Sequence, residues 1–308
     1  MYDSSIVCCF LYPITKYGYP PAAAGTTDFL SEMKNLGFRA VEIEGIHERH
    51  LNAVFDMRDE IASALERMEL EVPYFCAVLP GLSSPDHEER RHNLRLFDRG
   101  CQIASTFQSK GIVDNAPIPP YRFPDGIPVT RHYDEHVLRN ASLPPDLEWG
   151  RYWEDLTSTF AEACDIAGRY GLTYQVHPCL GALSSTVDGF LLFRDGVDRD
   201  NLRFNLDTAN LFALKDNPIL GLHRLAGELD YIHVSDNRGD RIEHLVPGDG
   251  AIDWGLFFET VRATRFNGHI GIDVGGAESG IKDIDGAYRA SAEWLTRAWP
   301  LANEREHP

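Results

Sequence analysis

Short runs of β-branched and aromatic residues alternate along this chain with longer stretches whose apolar positions recur every three or four residues. The first pattern predicts strands over Ser5–Leu11, Phe38–Glu44, Glu71–Val78, Gly111–Asn115, Leu172–His177, Leu202–Leu206, Tyr231–Val234 and His269–Asp273. The second predicts helices over Thr27–Leu36, Asp56–Glu69, Glu88–Phe107, Trp149–Tyr170, Thr186–Asp195, Pro218–Glu228, Trp254–Thr264 and Ile284–Trp299. Within Asp56–Glu69, for example, Met57, Ile61, Ala64, Leu65 and Met68 make one stripe. Eight strands, each followed by helical sequence, call for parallel strands with helices outside them, and eight such units close as a barrel. The expected fold class is therefore α/β, a single (β/α)8 TIM barrel over residues 1–308. Residues 116–145 break the rhythm: they are rich in proline and aromatics, carry no sustained period, and are too long for an ordinary connection. A long loop or lid after strand 4 is expected there.

Composition narrows the function. The 308 residues are 43% hydrophobic, enough for one large core. Net charge is -18, from 47 acidic and 29 basic side chains, with no Lys/Arg run, so nucleic acid and anionic membranes are not expected partners. Met1–Phe10 has no basic segment leading into an apolar one, and no apolar run of ~18 residues occurs, which points to a cytoplasmic protein. The six cysteines include no Cys-x-x-Cys pair and read as buried thiols in a reducing compartment. No Gly-x-Gly-x-x-Gly follows the first strand, so an open nucleotide-binding sheet lacks its signature.

In such barrels the chemistry sits where strands run out into their following loops. Strand 2 ends in Glu42 and Glu44, two residues apart and so on one side, with His47 beyond. Strand 4 ends in Asp114–Asn115, and strand 5 in another same-side pair, Gln175 and His177. Strand 6 supplies Asn205, Asp207 and, in its loop, Asn210; strand 7 supplies His233, Asp236 and Asn237; strand 8 supplies Asp273. Any one of these could cap a turn or satisfy a core hydrogen bond. Their recurrence at one end of strands 5 to 8 is harder to explain that way. Asp207, His233 and Asp273, with the amide oxygen of Gln175, form a mixed oxygen and nitrogen set suited to a divalent ion.

At these strand ends the chain resembles the xylose isomerase-like barrel superfamily of sugar-phosphate isomerases, ketose 3-epimerases, inosose dehydratases and endonuclease IV-type enzymes. The segments that carry the resemblance are Gly37–Ile43, Asn205–Asn210, Tyr231–Asn237, Gly248–Trp254 and Gly271–Asp273. The resemblance implies one metal ion held by a glutamate on strand 5, an aspartate on strand 6, a histidine on strand 7 and a glutamate on strand 8, the two glutamates also serving as an acid/base pair. Those places are Gln175, Asp207, His233 and Asp273 here. Mn2+ is the first expectation for the ion, with Zn2+, Co2+, Fe2+ and Mg2+ as alternatives.

The departures matter. The strand 5 carboxylate is an amide, the strand 8 carboxylate is a methylene shorter, and the family's histidine three residues after the strand 6 aspartate is Asn210. An amide can coordinate through oxygen but cannot serve as a base near neutral pH. The catalytic groups are then expected to be His177 and Asp273, with Glu44 in reserve. Glu42, His47, Asn210, Asp236, Arg238, Arg241 and Trp254 are the expected substrate contacts, while His244 and Asp249 lie in the loop that approaches the substrate.

The first functional expectation is a metal-dependent isomerase or epimerase of a monosaccharide or keto-sugar derivative. A lyase of the same fold (a keto-sugar or inosose dehydratase, or a C-glycoside-cleaving subunit) is the second, and a non-catalytic sugar- or metal-binding subunit the third. The expected partner is a small polyhydroxylated substrate, and either a homo-oligomer or a small partner subunit is compatible with the chain.

Overall fold

The computed structural model describes residues 1–123 and 135–299. Among them are ten strands: β1 Ile6–Cys8, β2 Ala40–Val41, β3 Ile43–Ile46, β4 Tyr74–Val78, β5 Gly111–Asn115, β6 Thr173–His177, β7 Leu202–Phe204, β8 Leu206–Asp207, β9 Tyr231–Val234 and β10 His269–Ile272. They fall in two five-stranded sheets, ordered β2-β1-β10-β9-β8 and β3-β4-β5-β6-β7. The chain correspondingly divides into two compact units. The first comprises Met1–Ile43, Asp59–Pro73 and the chain from Asn205 on; the second comprises Glu44–Arg58 and Tyr74–Phe204.

In the first unit, β1 pairs in parallel with β2 and β10, β10 with β9, and β9 with β8. Ile6, Val7, Cys8, Val41, Ile232, Ile270 and Ile272 are fully buried, which suits a parallel sheet covered on both faces. In the second unit, β6 alternates cleanly. Tyr174 packs against Phe97 and Phe160, with ring centroids 4.7 and 5.8 Å away, so the intervening Gln175 and flanking His177 take the opposite face with Thr173.

Two predicted strands are interrupted. The one over Phe38–Glu44 is split at Glu42, and the one over Leu202–Leu206 is split at Asn205, which donates its side-chain amide to the Tyr231 carbonyl at 3.3 Å. The first strand is shorter than expected. It stops at Cys8, and Leu11–Tyr17 is a helix with Pro13 in its first turn, where a missing N–H costs no helical bond. The helix expected over Asp56–Glu69 begins at His47, because buried Leu51 and Val54 continue the stripe of Ile61, Ala64 and Leu65.

Within the expected lid, residues 124–134 lie outside the described residues. The described part holds a short helix, Glu135–Arg139, and an antiparallel bridge between Arg122 and Ser142. No helix among the described residues is long and apolar enough to cross a membrane.

Candidate functional site

The carboxyl ends of β8, β9 and β10 lie side by side in the first unit. Register sets Asp207 directly beside His233, and His233 beside Gly271, two residues before Asp273. Gly271 is required at that place. A Cβ there would lie 2.5 Å from Cys9 Sγ, 2.6 Å from the Tyr231 hydroxyl and 3.0 Å from His233 Cδ2. The missing side chain is the room into which the imidazole fits.

Both ring nitrogens of His233 face carboxylates. Nε2 lies 3.2 Å from Glu42 Oε2, and Nδ1 lies 3.9 Å from Asp273 Oδ2. Burial by itself would make this imidazole less basic, but the Glu42 carboxylate, and then those of Asp273 and Asp207, outweigh it and raise its pKa to about 9. The surroundings therefore favour positive charge on this ring. Asp207 is fully buried, and its Oδ1 accepts the Asn210 backbone N–H at 2.6 Å. Its Oδ2 has no hydrogen-bond partner among the described residues. A buried carboxylate oxygen left in that condition is costly unless a cation completes it.

A third group joins these. His244, from the loop after β9, places Nε2 3.7 Å from Asp273 Oδ2 and Nδ1 3.0 Å from Glu278 Oε1. One ligand atom each from Asp207, His244 and Asp273 lie within 4.8 Å of one another, close enough to share a single ion. Two carboxylates and one imidazole grouped at buried positions, with the His233 ring 3.9 Å from Asp273, fit a divalent metal by charge and chemistry.

Several expected substrate contacts have other employment. Glu42 accepts from the Phe10 N–H at 3.4 Å, from the Tyr231 hydroxyl at 3.0 Å and from His233. It is buried behind the histidine, so it holds that ring where a substrate contact was expected. Asp236 accepts four hydrogen bonds, from the backbone of Asn237, Gly248 and Ile252 and from Trp254 Nε1. Its oxygens close the loop over Ser235–Gly250. Trp254 spends its only donor on that bond, and its ring packs between Phe257 and Trp294 at 5.4 and 5.2 Å. Arg238 and Arg241 both lie on Glu243, at 2.9 and 3.3 Å, with more than half of each side chain exposed. Asn210 is fully buried, and its backbone N–H holds Asp207 Oδ1.

The remaining candidates belong to the second unit. Gln175 is fully buried and donates from Nε2 to Thr173 Oγ1 at 3.0 Å; His177 shares its face of β6 and is nearly as buried. Glu44 lies half-buried in β3. His47 opens the following helix with a left-handed φ of 52°, and burial lowers its pKa. Asp114 turns to the helix-facing side of β5. It accepts from the Leu79 and Asn115 N–H groups at 3.1 and 2.7 Å, with the Tyr174 hydroxyl at 3.5 Å, and burial raises its pKa to about 8. It is a strand-end carboxyl with a structural task.

Parallel strands ending in a buried set of carboxylates and imidazoles define a class, and the chain belongs to it: residues 30–298 match the xylose isomerase-like TIM barrel family. Among its relatives is 3-dehydro-D-guloside 4-epimerase of Escherichia coli K12, 23% identical over 267 residues, which are 85% of this chain and 91% of that enzyme. Inosose dehydratase of Bacillus licheniformis is 25% identical over 157 residues, spanning about half of each protein (46% and 51%). The crystal structure of 3-keto-D-glucoside 4-epimerase from E. coli superposes with a TM-score of 0.70, at 19% identity, over 96% of this chain and 100% of that one. That of an L-ribulose 3-epimerase does so with a TM-score of 0.71, at 15% identity, over 97% and 96%. The fold is thus that of TIM-barrel epimerases, and the relatives are enzymes that epimerise or dehydrate sugars.

Proposed function

We propose that this protein is a divalent-metal-dependent epimerase of a keto-sugar derivative, exchanging a carbon-bound proton next to a carbonyl. The observation that carries the reading is Asp207 Oδ2, buried without a hydrogen-bond partner among the described residues, on a strand end beside His233, whose Nδ1 faces Asp273 at 3.9 Å. These three residues would hold the ion, Mn2+ first among the candidates, with Zn2+, Co2+, Fe2+ and Mg2+ behind it. Bound there, it would supply Lewis acidity to a carbonyl oxygen and so acidify the adjacent C–H bond.

The rest is the work of the chain. Glu42 fixes the proton of His233 on Nε2 and so aims Nδ1 at the cluster. The near-complete burial of Asp207, His233 and Asp273 keeps water from competing for a substrate oxygen. On β6, Gln175 has no usable proton affinity, so His177, on the same face, is the group of that strand suited to exchange a proton. The similarity to an enzyme named for a 3-dehydro-guloside supports an oxidised glycoside as the substrate class. Six free, buried cysteines support a reducing, cytoplasmic setting.

The amide at Gln175 gives specific support to a second reading, a dehydratase. Elimination needs one base where two-sided proton exchange needs two. Incubating the metal-supplemented protein with 3-keto-glycosides in D2O separates the two. Inversion at a carbon beside the ketone, with one deuterium incorporated, is the expected result. An unsaturated product formed with loss of water would replace the epimerase reading by the dehydratase one. Absence of both deuterium exchange and loss of water with every keto-sugar would overturn both.

A further inference from the structure

We infer that His244 is a further ligand of the proposed metal ion, oriented by Glu278; the inference rests on the metal reading above. His244 lies in a segment with no helical or strand period, yet its backbone is fixed from two sides. Asp236 and Leu245 exchange backbone hydrogen bonds of 2.8 and 2.9 Å, and the Gly275 N–H donates to the His244 carbonyl at 2.9 Å. The imidazole between these anchors is fully buried.

The two ring nitrogens face different things. Nδ1 meets Glu278 Oε1 at 3.0 Å, outside the cluster, and Nε2 faces Asp273 Oδ2 at 3.7 Å, inside it. A carboxylate on the far nitrogen is the device by which proteins fix the tautomer and aim of a metal-bound histidine. The inner distance is too long for a good hydrogen bond. It suits two donors sharing one ion, since bonds of ~2.1 Å place neighbouring donors roughly 3–3.5 Å apart. Asp273 Oδ2 is the common neighbour of both imidazoles, with His233 Nδ1 at 3.9 Å. Asp207, whose Oδ2 has no hydrogen-bond partner among the described residues, belongs to the group of His244 and Asp273.

The chain also carries a local device that brings Glu278 to this place. Gly276 has a left-handed φ of 75°, and a Cβ on it would fall 2.2 Å from Glu278 Oε1. Its neighbour Gly275 has φ 129°, and a Cβ there would meet Thr15 Oγ1 at 2.3 Å. The Gly–Gly pair lets the chain turn after Asp273 and lets Glu278 fold back onto His244. The resulting donor set, Asp207, His233, His244 and Asp273, is two carboxylates and two imidazoles. It balances a doubly charged ion without the carboxylate that the family carries on the strand of Gln175. It also disfavours Mg2+, which prefers an all-oxygen, largely hydrated shell, relative to Mn2+, Fe2+, Co2+ or Zn2+.

The test is Co2+ titration of metal-stripped full-length protein, followed by visible absorption, for wild type, H244A, E278Q and D207A. Metal-edge X-ray absorption on the zinc-loaded wild type accompanies it. The expected results are Co2+ affinity reduced at least tenfold in H244A with an altered visible spectrum, a smaller loss in E278Q, and scattering from two imidazoles per zinc. Co2+ binding lost in D207A but unchanged in affinity and spectrum in H244A would overturn the role of His244 and leave the metal reading standing. Undiminished binding in D207A would overturn the metal reading and this inference with it. The X-ray measurement needs no variant: one imidazole per zinc would overturn the inference even if H244A failed to fold.

Discussion

Glu42 acts through His233. A glutamine at that position keeps the shape but loses the charge that faces Nε2 at 3.2 Å and frees the amide to present either atom to the ring. E42Q is therefore expected to fold and to bind metal about 10–100-fold more weakly, as loss of an outer carboxylate typically does; titration with Co2+ checks it. Asp114 gives a prediction of a different kind. Its folded pKa of about 8 is above the ordinary carboxyl value of 3.8, so the folded state holds a proton that the unfolded chain releases. Its contribution to stability is therefore greatest at low pH, declines as pH rises from about 4 towards 8, and is flat beyond, with a slope of at most about 1.4 kcal/mol per pH unit. Thermal unfolding across that range should show D114N losing less stability than wild type as pH rises.

At this scale the sequence located the cluster but not its wiring. Asp207, His233 and Asp273 were legible because strand periodicity placed them at strand ends. His244 was placed only in a loop near the substrate and Glu278 not at all, because their meeting depends on that loop and a Gly–Gly turn whose paths no periodicity encodes. Glu42, Asp236 and Trp254 looked available to substrate because hydrogen bonds from distant backbone groups cannot be counted along a chain.

Among the elements, β9, β10 and the loop after β9 do most to position the site. β10 must carry a glycine opposite His233, and G271A would force a Cβ to within 2.5–2.6 Å of Cys9 Sγ and the Tyr231 hydroxyl. That overpacking should cost about 1–3 kcal/mol, read as a lower Tm, and should weaken metal binding together with stability. The loop depends on Asp236. D236A would leave four donors without their acceptor, three backbone N–H groups and the Trp254 indole, and should destabilise by several kcal/mol at ~1–3 kcal/mol for each buried group unsatisfied. Chemical denaturation measures it. The strands β5 and β9 were read to the residue, and most helices to within a residue or two at one end, because each has an unbroken stripe. The misses were short or irregular elements. Helix Leu11–Tyr17 follows its strand without a turn signal, and the breaks at Glu42 and Asn205 come from polar side chains that leave the strand's period intact.

For the whole molecule, the net charge of -18 disfavours a phosphate backbone as partner, and the proposed keto-sugar substrate carries no such charge. The fold class was accessible from the alternation of strands and helices together with the family's strand-end residues, which is why the matched region extends over residues 30–298. The reaction subclass was less accessible, because it turns on substitutions such as Gln175, where one oxygen has become an amide nitrogen. The central claim is that buried carboxylates and imidazoles at the ends of β8, β9 and β10 exist to hold one divalent ion. Elemental mass spectrometry of wild type and D207A, purified side by side from metal-supplemented cultures, tests it most directly. The account predicts about one ion per wild-type chain and essentially none in folded D207A; equal metal content in the two, or none in either, would contradict it.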